Sequence, residues 1–312
     1  MTISAGLGMA QYPFTDVRQY WHWVDLCEAG GVDSLWQSDR IIGAEPFLES
    51  LSVMAALAGR TRRLKFGMNV ASLGLRDPVL TAKACATIDV LSGGRLLPAF
   101  GVGSAVSRDY AATGTPTRGR GQRTGEGLEI ISRLFSEPSV SFDGRHFHLD
   151  DATIAPRPLQ QPMPLWVGGS APQAIERTAR WGTGWQAGLE SPEQVAPVIA
   201  AIRTRTRELG RRIDDDHYGA GFAFRFGSPH DRVVAQYRSL LEERLGRSSA
   251  GMVAVGGAAE MRALMDAFHQ AGAHKFILRP LAADGGDFIA QTKLFIEHLL
   301  PEVAALNRAA AT

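Results

Sequence analysis

The sequence predicts an α/β fold, a (β/α)8 TIM barrel with insertions after strands 4 and 7. Three observations carry this expectation. Short apolar runs alternate along the 312 residues with segments whose apolar positions recur at helical spacing. Eight principal strand-then-helix units result, which suits a barrel better than a doubly wound sheet. The runs also end repeatedly in glycine or small polar residues, where α/β folds place their chemistry. No linker-like shift in composition divides the chain, so residues 1–312 read as one domain.

Ile3 to Met9 is the first apolar run, and Asp16 caps a helix with Val17, Trp21, Val24 and Cys27 at helical spacing. Ser34 to Asp39 is strand-like with a polar end, and Pro46 is read as opening a helix that carries Leu51, Met54 and Ala58. Leu64 to Ser72 forms the third strand, and Asp77-Pro78 starts a helix running to Leu91. The stretch LSGGRLLPAFGVGS, Leu91 to Ser104, shows the repeat most plainly. Gly93 and Gly94 suit the left-handed backbone that closes a helix, a buried strand follows, and Gly101, Gly103 and Ser104 free the backbone at its end.

A loop rich in Gly, Thr and Arg, Ala112 to Gly125, delays the next helix, which carries Leu128, Ile131, Leu134 and Phe135. Val140 to Leu149 alternates around Asp143-Gly144 as a hairpin, and Pro156 to Pro164 is an extended connector. Strands return at Leu165 to Ser170 and Gly184 to Ala187, with a helix from Ala174 to Arg180 between them and another opened by Ser191-Pro192. In the seventh strand, Gly219 to Phe226, the side chains of Phe222, Phe224 and Phe226 share a face that either lines an apolar pocket or fills the barrel. Val233, Tyr237, Leu240 and Leu241 mark a helix, and Met252 to Val255 is an extra short strand. Met261 to Phe268 is helical, Lys275 to Leu278 is the last strand, and Phe288 to Leu306 is the closing helix.

Composition narrows the partners. A formal net charge of +1 offers no basic face for nucleic acid or an anionic membrane, which leaves a small-molecule partner. Two cysteines, Cys27 and Cys85, make no disulfide framework or zinc site and suit a reducing compartment. The first residues do not read as a signal peptide, and no apolar stretch nears the roughly 18 residues of a spanning helix, so a cytoplasmic protein is expected. The eight histidines are scattered, and His146 with His148 sits in the hairpin without a ligand pattern, so no metal site is expected.

The residues just after the strands form a polar, glycine-lined mouth: Ser38-Asp39-Arg40, Asn69 to Ser72, Gly103-Ser104, Gly168-Gly169-Ser170, Trp185 and Arg279. GVGSAV is not a dinucleotide fingerprint, because Val106 replaces the third glycine. Gly168-Gly169-Ser170 before a helix near Pro172 suits a phosphate, with backbone N–H groups and a hydroxyl at a helix start; alternatively, the glycines simply fit a tight turn. Arg118, Arg120 and Arg123 form either an anion-binding loop or a solvated one. Trp166, Trp181 and Trp185 read as core, with Trp185, after the sixth strand, the one of the three best placed to touch a ligand.

LSGGRLLPAFGVGS, RGRGQR, APRPLQQPMPLWVGGSAPQAIERTARWGTGW and KFILRPL, in this order and spacing, resemble the bacterial luciferase-like family of flavin- or deazaflavin-dependent oxidoreductases over nearly the whole chain. The resemblance implies the barrel already inferred. It implies reduced FMN, or 8-hydroxy-5-deazaflavin, held by Asp39, Asn69, Val70, Ala71, Gly103, Ser104, Gly168, Gly169, Ser170 and Trp185, with the phosphate toward Gly169 and Ser170. A non-prolyl cis peptide at Asn69–Val70, a homodimer and a separate flavin reductase are further expectations from the family.

Two positions depart from it. Many members carry a histidine where this chain has Arg40, next to Asp39. A permanent guanidinium is a poor base, so Arg40 orients an anionic substrate or steadies negative charge, unless it only pairs with Asp39 or Glu45 at the surface. The family's deazaflavin sugar-phosphate dehydrogenases carry a glutamate where this chain has Val106. Asp39 and Arg40 are thus the candidate catalytic pair. The first expectation is a reduced-FMN monooxygenase of a small organic substrate, the second a deazaflavin hydride-transfer enzyme, and the third a flavin-binding protein without turnover.

Overall fold

A computed structural model describes residues 2–309. In chain order its elements are β1 (Ser4–Met9), α1 (Val17–Ala29), β2 (Ser34–Gln37), α2 (Ser50–Arg60), β3 (Lys65–Met68), β4 (Ala71–Ser72), α3 (Pro78–Ser92), β5 (Leu96–Leu97) and β6 (Ala99–Gly101). There follow α4 (Arg108–Ala112), α5 (Arg120–Ser136), β7 (Val140–Asp143), β8 (His148–Ala152), β9 (Trp166–Gly168), α6 (Pro172–Trp181), β10 (Gly184–Gln186) and α7 (Pro192–Glu208). The last are β11 (Tyr218–Ala220), β12 (Ala223–Phe226), α8 (Arg232–Leu245), β13 (Val253–Gly256), α9 (Ala258–Gln270), β14 (Lys275–Pro280), α10 (Gly285–Leu294) and α11 (Leu300–Ala309). They divide between two compact units.

One unit takes in residues 2–36, 187–201 and 214–309. Its strands run β11-β14-β1-β2, with β14 parallel to β1 from Ser4↔Lys275 to Leu7↔Leu278. The seventh predicted strand is in fact two. A side chain at Gly221 would collide with the Ile277 carbonyl, and beyond that close approach β12 lies parallel to both β13 and β14. The phenylalanines assigned from sequence to a pocket or barrel filling are spent on helices instead. Phe222 stacks on Phe268 of α9 at 6.2 Å, while Phe224 and Phe226 meet Phe295 and His298 at 5.7 and 6.0 Å in a π-helical turn, Phe295–Leu299. That turn joins α10 to α11, so the closing helix starts earlier than expected, at Gly285 behind the cap Asp284.

The other unit comprises residues 37–186 and 202–213. It holds β4-β6-β9-β10, all parallel, and β3 parallel to β5. A non-prolyl cis peptide at Asn69–Val70 separates β3 from β4. Pro98 separates β5 from β6, because it has no N–H for the ladder, although its carbonyl accepts from the Trp166 N–H at 2.9 Å. Gly93 and Gly94 close α3 with φ of 70° and 81°, and Asp77 caps its start by accepting from Val79 and Leu80 N–H, both at 2.9 Å.

Two helix starts correct the sequence reading. α2 begins at Ser50 with Glu49 as cap, beyond Pro46, and α5 begins at Arg120, inside the stretch read as a loop. Arg120 and Arg123 are therefore helical. The hairpin turns through residues 144–147 and its second strand extends to Ala152; Glu126 of α5 ties it down by accepting from Arg145 and His146 N–H at 3.2 and 2.8 Å. Among the described residues no helix is long and apolar enough to cross a membrane.

Candidate active site

Two adjacent residues just past β2 have opposite surroundings. The Asp39 side chain is 2% exposed and each oxygen takes two bonds. Oδ1 accepts from Ser50 Oγ at 2.9 Å and Arg76 Nη2 at 2.7 Å; Oδ2 accepts from the Ser72 N–H and Arg76 Nη1, both at 3.0 Å. A carboxylate offers about four acceptor positions, so nothing of Asp39 is left over for a ligand. Its effect passes through Ser72, the last residue of β4. Arg76 also reaches the Ser72 carbonyl at 3.1 Å and Glu49 at 3.4 Å. Burial opposes the Arg76 charge, but Asp39 and Glu49 outweigh it and push its pKa up.

Arg40 is exposed, with its guanidinium 4.8 Å over the Phe47 ring. Among the described residues it pairs with no carboxylate, which corrects the surface ion pair with Asp39 or Glu45. Arg76 has taken Asp39.

The rim beyond is built around Val70. Cβ atoms at Gly101 and Gly168 would stand 2.8 and 2.9 Å from Val70 Cγ2, so these glycines at the ends of β6 and β9 form the slot that holds the valine. The Asn69 N–H donates to the Gln37 carbonyl at 2.8 Å. Asn69 and Val70 are half-buried, whereas Ala71 is fully buried. Gly103 and Ser104 are exposed, and the Ser104 carbonyl accepts from the Ser107 N–H at 3.2 Å. Gly169, exposed with φ of 108°, leads through half-buried Ser170 into α6, whose first turn has no side-chain cap.

Trp185 lies within β10 rather than after it and is fully buried. Its indole N–H donates to the Gly169 carbonyl at 2.8 Å, so it braces the glycine turn from behind. Arg123 donates from Nε to the Gly74 carbonyl at 3.1 Å and lies 4.4 Å over the Phe147 ring, while Arg118 is exposed. Sequence reasoning missed Ser50, Glu49 and Arg76, which reach Asp39 or its partner across 11 to 37 residues. No spacing rule links them; the only mark is that Arg76 directly precedes the Asp77-Pro78 helix start.

Residues 2–275 match the luciferase-like monooxygenase family, and the chain belongs to it. An uncharacterized protein of Mycobacterium tuberculosis is 34% identical over 168 residues, 54% of this chain and 57% of that protein, so the chain spans little more than half of that relative's length. An F420-dependent glucose-6-phosphate dehydrogenase of Kineococcus radiotolerans is 33% identical over 236 residues, 68% of this chain and 69% of the relative. Of the solved structures, an F420-dependent secondary alcohol dehydrogenase in complex with an F420-acetone adduct matches with a TM-score of 0.80 at 19% identity, over 96% of this chain and 98% of that one. Monooxygenase RslO1 from Streptomyces bottropensis also gives 0.80, at 21% identity over 95% and 99%. Likeness at these identities establishes the fold, the α/β TIM barrel expected from the sequence.

Proposed function

We propose that the chain is a reduced-FMN-dependent monooxygenase of a small organic substrate, with the cofactor lying at the strand ends around Val70. The observation that carries this reading is the rim itself. Half-buried Val70 is seated between Gly101 and Gly168, and Gly103 and Gly169 are exposed beside it, so a flat ring that approaches Val70 meets glycine backbone and no side chain at these four positions. Family membership and the fold shared with RslO1 support it as well.

In this reading Asn69 and Val70 meet the ring, Gly103 and Ser104 border it, and the N–H groups of Gly168, Gly169 and Ser170 with the Ser170 hydroxyl take the phosphate. Ala71 and Trp185 act from behind, and Asp39 positions β4 through Ser72. Arg40 is the charged group left to meet an anionic substrate or negative charge on the reduced ring. A reduced flavin, when bound, supplies the electrons and activates dioxygen; the chain's part is to hold, orient and keep water out. The second reading, hydride transfer with a deazaflavin, draws on the Kineococcus relative's name.

We also propose a cytoplasmic homodimer served by a separate reductase. The outward faces of α2 (Ser52, Ala55, Ala56, Gly59) and α3 (Leu80 73% and Leu91 67% exposed) support self-association, and a monomer mass by sedimentation would rule it out.

Titration with reduced FMN and reduced 8-hydroxy-5-deazaflavin tests the cofactor. FMN is expected to bind at least about tenfold more tightly, roughly 1.4 kcal/mol. The reverse order sinks the first reading in favour of the second, and oxygen uptake without any oxygenated product favours a binder without turnover. Ser170→Ala is expected to weaken cofactor binding by about 1–2 kcal/mol through a lost bond to charge; unchanged affinity removes Ser170 from the site.

A further inference from the structure

One short helix fastens two stretches of the rim. Adjacent side chains of α4, Asp109 and Tyr110, are 7% and 1% exposed and reach different segments. The Tyr110 hydroxyl donates to the Val102 carbonyl at 2.6 Å, and its ring lies against the Gly103 turn, where a Cβ would stand 3.3 Å from Cε2. The helix is thereby seated against the end of β6. Asp109 Oδ1 then accepts from the Ile42 N–H at 3.0 Å, 67 residues away in sequence, in the stretch that follows β2.

That bond anchors a whole loop. Residues 41–46 are exposed apart from half-buried Ile42. Among the described residues, no other hydrogen bond joins residues 40–48 to the chain. The remaining contacts of Arg40 lie within the loop: its guanidinium is 4.8 Å over the Phe47 ring, and a Cβ at Gly43 would stand 3.3 Å from its Cδ. The loop holds Arg40, and Asp109 holds the loop. Among the described residues the Asp109 side chain meets that one N–H and no cation, so its effect is on the path of the loop and not on charge balance.

Two exposed apolar side chains flank the joint. Ile41, 43% exposed, directly precedes the amide, and Val106, 91% exposed, stands three residues before the carboxylate that the amide meets. Three residues of chain span at most about 11 Å, which keeps both beside the joint. Water-facing apolar groups next to a guanidinium without a carboxylate suit a molecule with a negative end and an apolar body.

We infer that Asp109 is the positioning residue on the substrate side of the mouth, and that the seat it fixes, Arg40 with Ile41 and Val106, takes an organic anion with an apolar body. The inference rests on the reading above in which Arg40 meets the substrate.

The test uses the full chain without flavin and hexanoate as probe, with acetate lacking the apolar body and 1-hexanol lacking the charge. Hexanoate is expected to bind at least about tenfold more tightly than either, by calorimetry. Asp109→Ala is expected to weaken hexanoate at least about tenfold and to speed amide hydrogen exchange in a peptide spanning residues 40–48. Asp109→Asn, whose Oδ1 still accepts from Ile42, should stay within about threefold of the wild type in both measurements. Arg40→Met should weaken hexanoate as well, and Asp109→Ala added to it should cost clearly less than in the wild type, because Asp109 acts through Arg40.

Hexanoate binding no better than that of acetate or hexanol overturns the seat. Exchange at 40–48 that Asp109→Ala leaves unchanged, or Asp109→Asn as weak as Asp109→Ala, overturns the positioning role. Equal losses from Asp109→Ala with and without Arg40 overturn it too, because Asp109 is then only a structural residue. Since the titration contains no flavin, its failure leaves the FMN titration standing, and FMN failing to bind while hexanoate binds removes the cofactor reading and keeps the seat.

Discussion

Asp39 and Thr124 are both almost sealed from solvent in the same unit, yet the carboxylate has every acceptor position filled and the hydroxyl has no partner. Around Asp39 the cation Arg76, the hydroxyl of Ser50 and the amide of Ser72 settle the charge within the protein. Beside Thr124 a Cβ at Gly74 would stand 3.3 Å from its Oγ1 and would collide with the Tyr110 hydroxyl, which itself donates to the Val102 carbonyl at 2.6 Å. Local neutrality marks the first region as one that shapes β4, whereas the second keeps a buried hydroxyl without a partner. Burial alone would have ranked them equally.

The largest expected effect is at the closed region. Asp39→Ala should cost about 3–5 kcal/mol in urea unfolding, because it leaves Arg76 buried with its main partner gone. Arg76→Met should cost a similar amount, while Asp39→Leu with Arg76→Met together should recover most of it. The comparison breaks if Thr124→Val, which removes a hydroxyl that has no partner, loses as much as Arg76→Met.

Gly168→Ala probes the slot that holds Val70. Its Cβ would stand 2.9 Å from Val70 Cγ2, and overpacking of this kind costs about 1–3 kcal/mol. Val70→Ala in the same chain should recover most of that loss, measured as a double-mutant cycle. Additive losses would show that the valine is not what the glycine accommodates.

The sequence made the repeating units legible because apolar period, caps and paired glycines are local signals: Asp16, Asp77 and Gly93-Gly94 all do what their positions predict. It could not show where strands break. The break at Gly221 follows from the approach of the Ile277 backbone, more than fifty residues away, and the start of α5 at Arg120 is hidden by glycines that read as loop. The site was legible as strand ends and glycines, but side-chain partnership was not. Nothing local in Ser38-Asp39-Arg40 says that Arg76 will claim the acid, and nothing in the α6 sequence says that Arg177 will turn toward α5.

Trp185→Phe sharpens the picture on the other flank of the rim. It keeps the bulk in β10 but removes the donor to the Gly169 carbonyl, an expected loss of about 1–2 kcal/mol in stability. If the turn is what holds a phosphate, cofactor affinity falls too while Gly168 and Ser170 are untouched; unchanged affinity with lowered stability would make Trp185 a packing residue only.

The smallest effect lies beside Arg177 on the same helix. Glu176 faces Arg205 and Arg180, whose hydrogen bonds, that of Arg205 foremost, hold its pKa near about 2. The folded value lies below the ordinary 4.5, so the carboxylate's contribution is complete above about 4.5 and is lost as pH falls toward 2. Glu176 is 37% exposed, so solvent screening limits that contribution to about 0.5 kcal/mol. Glu176→Gln should therefore be slightly less stable than wild type near neutral pH, with the gap closing below 4.5. A gap that persists at the acid end would mean that the contact is held by packing, and that neighbouring residues of α6 do not differ in the way the unpaired Arg177 and the paired Glu176 imply.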